Sequence, residues 1–242
     1  MEQAGNWGRE PVVLLPGMMC DARVFAPQIQ ALSALAPVMV APLHGGARMD
    51  DIATHILSML PAKFALAGLS MGGIVALELL RRAPERISRL CLMATTPLSE
   101  TPDQAAMREP LIVSARTGGL EKALQLSLPP EVLAPGPRRL DILNLVREMG
   151  MDLGAELFVD QSRALQRRLD QQATARRCRV PTLILCGEYD RLTPVKRHEF
   201  LAELIPHAGL EIIAGAGHLP GLEQPDAVNR ALVHWLAAPT AA

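Results

Sequence analysis

Short apolar runs alternate with longer amphipathic stretches along most of this chain, and that rhythm leaves few folds open. The runs are PVVLLPG (from Pro11), PVMVAP (from Pro37), AKFALAG (from Ala62), ISRLCLMAT (from Ile87), PTLILCGE (from Pro181) and LEIIAGAG (from Leu210). Each has the length of a strand and closes near Gly, Pro or Thr, as strands covered on both faces do. The stretches between them, roughly 22–35, 49–60, 71–83, 194–205 and 224–236, read as helices. Strand and helix in turn predict an α/β fold, with a doubly wound, mostly parallel sheet of about six strands flanked by helices on both faces.

One interval breaks the rhythm. From about residue 97 to 179 no strand-like run occurs, only helical patterns such as GLEKALQLSL, RRLDILNLVREMG and LFVDQSRALQRRLDQQATARR, joined by Pro- and Gly-rich segments such as SLPPEVLAPGP. We therefore expect one α/β core from residues 1–97 and 180–242, with a helical lid inserted over 98–179. A length of 242 residues suits one core plus an insertion. With 49% hydrophobic and 20% charged residues, the chain has enough apolar surface to bury that core, and disorder is set aside.

A net charge of −1, without a local run of Lys and Arg, offers no basic field for nucleic acid. The opening MEQAGNWGREPVVLLPG lacks the basic start and apolar run of a secretory signal, and no apolar stretch nears the ~18 residues of a membrane span. The expectation is a cytoplasmic protein, monomeric or homodimeric, that acts on a small molecule without membrane or nucleic-acid partners. Cys20, Cys91, Cys178 and Cys186 have no C-x-x-C spacing, which reads as buried thiols rather than disulfides or a metal site. No metal and no cofactor is expected.

In open α/β sheets ligands bind beyond the carboxyl ends of the strands. Three such positions carry matching chemistry. After the third run comes Gly68-Leu69-Ser70-Met71-Gly72-Gly73, a G-x-S-x-G pattern that forces the serine into a tight strand-to-helix turn. After the fifth comes Asp190 in GEYDRLTP, and after the sixth His218 in GAGHLPGLEQP. A serine hydroxyl is a weak nucleophile until an imidazole takes its proton, and a carboxylate fixes the tautomer of that imidazole. Ser70, Asp190 and His218 are thus the candidate nucleophile, acid and base, in the order that a G-x-S-x-G elbow leads one to expect. Donors for the developing oxyanion are assigned to the backbone N–H of Met71, after the nucleophile, and of Met18, after Gly17 in the first turn.

Bland readings stand beside each of these. Ser70 fits a helix cap, Asp190 a solvated loop or the cap of the helix that begins near Pro194, and His218 an ordinary loop histidine. His44 in APLHGG also follows a strand and rivals His218 as base, as Glu188 rivals Asp190 as acid. His55, His198 and His234 fall on helix patterns and His207 follows a helix end, where an exposed role is ordinary. Met19, Leu98 and Leu219, with Met18 and Met71, would give an apolar pocket wall. Arg163, Arg167 and Arg168 read either as a solvated face or as an anion-binding rim. Cys20, near the oxyanion turn, reads as a packing residue.

The segments LLPGMMCDARVFAPQ, ALAGLSMGGIVALEL, PTLILCGEYDRLTP and GAGHLPGLEQPDAVNRALVHWL, in this order, resemble the α/β-hydrolase superfamily across nearly the whole chain, and small lidded bacterial carboxylesterases and enol-lactonases above all. The resemblance implies that Ser70, Asp190 and His218 form a triad and that the Met18 and Met71 amides form the oxyanion hole. The chain departs from the pattern in having Pro16 where relatives often carry His, a shortened start, and APLHGG after the second run. The function expected is a serine hydrolase that cleaves a carboxylic ester, lactone or thioester of a small, largely apolar substrate. A hydrolase of C–C bonds in β-diketones and a non-catalytic binding protein on the same scaffold stay open.

Overall fold

A computed structural model describes residues 10–239. Six strands form one sheet: β1 (Val12–Leu15), β2 (Val38–Val40), β3 (Phe64–Leu69), β4 (Ile87–Met93), β5 (Thr182–Gly187) and β6 (Gly209–Ile213). All pairings are parallel and the order is β2-β1-β3-β4-β5-β6. Each strand coincides with one of the six apolar runs. Parallel strands need crossovers, which helices α1 (Ala26–Leu32), α2 (Met49–Met59), α3 (Met71–Arg82) and α8 (Val195–Leu204) supply, while α9 (Pro220–Glu223) and α10 (Pro225–Ala237) follow β6.

Alternation along the strands divides the core between the two faces. Val12 and Leu14 of β1, with Ala65, Ala67 and Leu69 of β3, pack with Leu32 of α1 and Val228, Leu232 and Trp235 of α10. Val13, Leu15, Phe64 and Leu66 point the other way, onto Ile52 and Ile56 of α2, Val75 and Leu79 of α3, and Leu201 of α8. β1, β3, β4 and β5 are buried along their whole length, which explains why their sequences lack a polar face.

Between β4 and β5 the chain forms only helices: α4 (Pro102–Arg116), α5 (Leu120–Ser127), α6 (Arg139–Gln166) and α7 (Gln172–Arg176). α4 was not among the helical stretches singled out in the sequence. It starts at Thr101 with a capping box in which Thr101 and Gln104 exchange side-chain-to-backbone bonds. Two expected helices, RRLDILNLVREMG and the first half of LFVDQSRALQRRLDQQATARR, run together as α6, broken only at Gly154, whose φ is +84°. The second stretch stops at Gln166. Asp170 then accepts the Gln172 N–H at 3.0 Å and opens α7. Ile112, Ala115, Leu120, Ala123, Leu124, Phe158 and Val159 give these helices an apolar cluster of their own, joined by Met19 from the turn after β1. Among the described residues no helix is long and apolar enough to cross a membrane.

Candidate active site

The turn from β3 into α3 is held in a conformation that non-glycine residues resist. Ser70 has φ +53° and ψ −115°, which costs on the order of 1–3 kcal/mol unless the surroundings impose it. Here they do. The Ser70 N–H donates to Met93 O at 2.8 Å, and the Ser70 carbonyl accepts from Gly73 N, Ile74 N and Thr95 Oγ1. A Cβ at Gly72 would lie 2.1 Å from Leu15 O and one at Gly68 2.4 Å from Gly72 O, so only glycine lets α3 seat itself so near the strand ends. The side chain of Ser70 makes no cap bond to its helix. Its Oγ meets His218 Nε2 at 2.9 Å instead, which sets the cap reading aside.

His218 Nδ1 lies 2.9 Å from Asp190 Oδ2. A carboxylate only accepts, so the imidazole proton sits on Nδ1 and the Nε2 lone pair faces the serine hydroxyl. Asp190 is itself saturated: Oδ1 accepts the N–H groups of Leu192 and Thr193, each at 2.9 Å, and Oδ2 accepts Thr193 Oγ1 at 2.8 Å. Burial works to raise its pKa, but the neighbouring His218 and the hydrogen bonds from His218 and Thr193 outweigh burial and hold the carboxyl below the usual range. His218 and Asp190 are both buried, whereas Ser70 is partly exposed.

The histidine loop has its own anchors, which the sequence reading missed. His218 N–H donates to Val132 O at 2.8 Å. The Glu223 carboxylate accepts Ala134 N, Gly217 N and Leu219 N at 2.7–2.9 Å, bracketing His218 on both sides. Burial nevertheless keeps the Glu223 carboxyl above its ordinary range. His198 was read as an ordinary helix position of exposed type. The structure corrects that: it is wholly buried beneath the elbow, and its Nε2 accepts the Thr95 N–H at 3.0 Å. Burial pushes its pKa down to about 4, so it is a neutral acceptor that holds the end of β4. Its spacing of three residues from Leu201, on one inward face of α8, was the available signal.

Gly17 abuts the serine; a Cβ there would sit 3.7 Å from Ser70 Cβ. Among the described residues no acceptor takes the N–H of Met18 or of Met71. Among the described residues three non-glycine residues have positive φ, namely Met19, Ser70 and Ala94, and they follow β1, β3 and β4 at this one rim. Of the expected pocket residues, Leu219 is buried beside Leu69 and Met93, with which it lines a small cavity of about 10 Å3. Leu98 is half-buried, its carbonyl taken by Arg168 Nε. Met19 is packed into the apolar cluster of the insertion rather than left on an open wall.

The rivals fall away. His44 is exposed, and exposed Glu188 accepts Gly215 N. Arg168 is buried against Glu100 at 3.1 Å, where burial lowers its pKa to about 10, and Arg163 pairs with Glu109. Neither is a free rim charge. All four cysteines are buried and unbridged, and burial raises the Cys20 thiol to about 12, far from reactivity. Among the described residues no three His, Cys, Asp or Glu side chains gather as a metal site would require.

Comparison with known proteins places the chain in a family. A family model described as "Alpha/beta hydrolase family" matches residues 12–231. The chain is 30% identical to a pimeloyl-[acyl-carrier protein] methyl ester esterase of Aromatoleum aromaticum, with 91% of each chain covered. It is 31% identical to the protein of that name in Xanthomonas oryzae pv. oryzae, with 94% of this chain and 95% of the other covered. Among solved structures, a thermophilic esterase from Thermogutta terrifontis superposes with a TM-score of 0.84 at 26% identity, covering 95% of this chain and 90% of the other. The enol-lactonase from Burkholderia xenovorans shares the fold, with a TM-score of 0.83 at 24% identity over 98% of this chain and 94% of the other.

Proposed function

The chain belongs to the alpha/beta hydrolase family, and we propose that its ester-cleaving activity runs through Ser70 as nucleophile, His218 as general base and acid, and Asp190 as the anion that orients the imidazole. The observation that carries this reading is the unbroken relay from Ser70 Oγ to His218 Nε2 and from His218 Nδ1 to Asp190, each link 2.9 Å.

Ser70 Oγ attacks the ester carbonyl while its proton passes to His218 Nε2. The carbonyl oxygen becomes an oxyanion that the N–H groups of Met18 and Met71 stabilise; both lack another acceptor among the described residues. As the tetrahedral adduct collapses, the C–O bond to the leaving alcohol breaks and His218 returns the proton to that oxygen. Water then repeats the sequence on the acyl-enzyme: His218 takes its proton, the hydroxide adds, and Ser70 leaves as the hydroxyl. The ionised Asp190 stabilises the imidazolium formed in each half.

The substrate is a carboxylic ester with a largely apolar acyl chain. Methyl esters of medium-chain acids, free or carrier-bound, are the first to assay, because curated relatives are named for such an ester. Residues 98–179 form the lid over this site. The protein acts as a monomer or homodimer on a small molecule in the cytoplasm, without a nucleic-acid or membrane partner. A fluorophosphonate probe tests the reading before any substrate is known: the folded protein should be labelled at Ser70, and a short-chain p-nitrophenyl ester should give a burst of nitrophenol. A folded protein that stays unlabelled at Ser70, or that turns over β-diketones and no ester, sinks it.

A further inference from the structure

The side chain of Gln161, on α6 of the insertion, is buried and fully engaged with backbone groups of the core. Its Oε1 accepts the Met19 N–H at 2.8 Å, and its Nε2 donates to Leu43 O at 3.0 Å. These partners lie in the turns after β1 and β2, 142 and 118 residues away in sequence. Met19 is a non-glycine residue with positive φ, and it directly follows Met18. On the other side of Met18, Gly17 abuts Ser70. One buried amide from the insertion therefore pins the turn that forms the wall opposite the nucleophile.

We propose that Gln161 is a positioning residue: through the Met19 amide it fixes the turn that presents the Met18 N–H to the oxyanion, so that the insertion sets the electrophilic half of the site. The inference rests on the roles given above to Ser70 and Met18. The chemistry asks for a carboxamide in particular, since the side chain must accept from one backbone group and donate to another. An ionised carboxylate only accepts and an apolar side chain does neither, whereas a protonated carboxylic acid does both. Oxyanion donors act through prior alignment, so a slackened turn weakens transition-state binding more than ground-state binding.

Gln161→Met and Gln161→Glu test this, with kcat counted per site that a fluorophosphonate titrates to completion, so that unfolded protein does not register as lost turnover. In Gln161→Met, kcat should fall about ten- to a hundred-fold, a share of the ~10²–10³ that a deleted donor costs, with KM changed by less than about two-fold. The inhibition constant of phenylboronic acid, which forms a tetrahedral adduct on the serine, should rise by a similar factor. In Gln161→Glu, the ratio of kcat to that of the unsubstituted protein should climb as pH falls, because the protonated carboxyl restores both bonds; this arm stands even where the Met variant does not fold. Unchanged kcat per titrated site, an unchanged boronate constant beside a reduced kcat, or a flat ratio in Gln161→Glu overturns the role. Ser70→Ala, run alongside, separates the two levels. Retained turnover there refutes the hydrolase assignment itself, whereas its loss beside a Gln161→Met variant of normal kcat refutes only the positioning role.

Discussion

The carboxyl rim of the sheet and the helical insertion use glycine and apolar residues in opposite ways. At the rim, a Cβ on Gly68, Gly72, Gly187 or Gly217 would come within 2.1–2.4 Å of a backbone oxygen, so chain segments there touch main chain to main chain. In the insertion, Gly118, Gly136 and Gly154 have nothing within 4 Å of that position, and Gly119 and Gly150 meet first the side chains of Ser114 and Leu124 rather than backbone. Large apolar side chains differ in degree: Met107, Leu140 and Leu169 of the insertion are 66–72% exposed, Tyr189 and Leu192 beside Asp190 are 44–48% exposed, and β1, β3 and β4 expose none. The rim is thus a closed jigsaw in which strained residues are imposed by their neighbours. The insertion is a looser layer whose hold on the rim includes a few buried polar ties, among them Gln161 to Met19 and the Val132 carbonyl to His218.

The sharpest test of the rim as reaction centre is Ser70→Ala, for which a loss of about 10⁶ in kcat is expected in steady-state assays of any ester the protein turns over. A much smaller loss would mean that the strained elbow serves packing rather than chemistry. Next comes the contrast between the two kinds of glycine. Gly72→Ala should destabilise the protein by more than about 3 kcal/mol, since the new methyl meets two carbonyl oxygens. Gly136→Ala should shift stability by no more than about 1 kcal/mol, in the stabilising direction if at all. Urea denaturation of both variants checks the pair, and equal costs would erase the distinction between the regions.

A smaller, pH-dependent effect is expected from His198. Burial leaves its folded pKa at about 4 against an ordinary 6.5, despite the opposing pull of Asp190. Between those values the unfolded chain holds a proton that the folded chain lacks. The stabilising contribution is therefore full above about pH 6.5 and is lost as pH falls towards 4. Over 2.5 units this amounts to about 3 kcal/mol at most. His198→Gln keeps an acceptor for the Thr95 N–H without a titrating group, so its stability should decline less between pH 7 and 4.5 than that of the unsubstituted protein. Parallel declines in thermal or urea midpoints would show that the buried imidazole does not govern the acid limit of the rim.

Legibility followed chemistry and sequence distance. β1, β3, β4 and β5 were readable because burial on both faces leaves few polar positions to blur the pattern, and the half-buried β2 and more exposed β6 because each is a short apolar run that closes near Pro or Gly. That Ser70, Asp190 and His218 could meet was readable because each follows a strand and because the chemistry expected of them requires the three residue types together. His198, Glu223 and Gln161 were not, since a single polar residue on a helix looks the same whether it faces solvent or a backbone group 103, 89 or 142 residues away. Helix boundaries in the insertion were blurred for a related reason. Gly154 turns the chain within a helical stretch that DILNLVREMG and LFVDQSRALQ each specify separately.

The sequence by itself determined the six strands, the helices of the α/β core, the glycines of the elbow and the three candidate reactive side chains, because periodicity, turn chemistry and residue type are local properties of the chain. Only the tertiary structure decided that Ser70 bonds to His218 rather than capping α3, that Met19 belongs to the core of the insertion, and that buried amides and carboxylates from distant helices hold the reactive loops. Those outcomes depend on which backbone N–H and C=O groups are left unpaired once the sheet has formed, and that is settled by close packing across the whole chain.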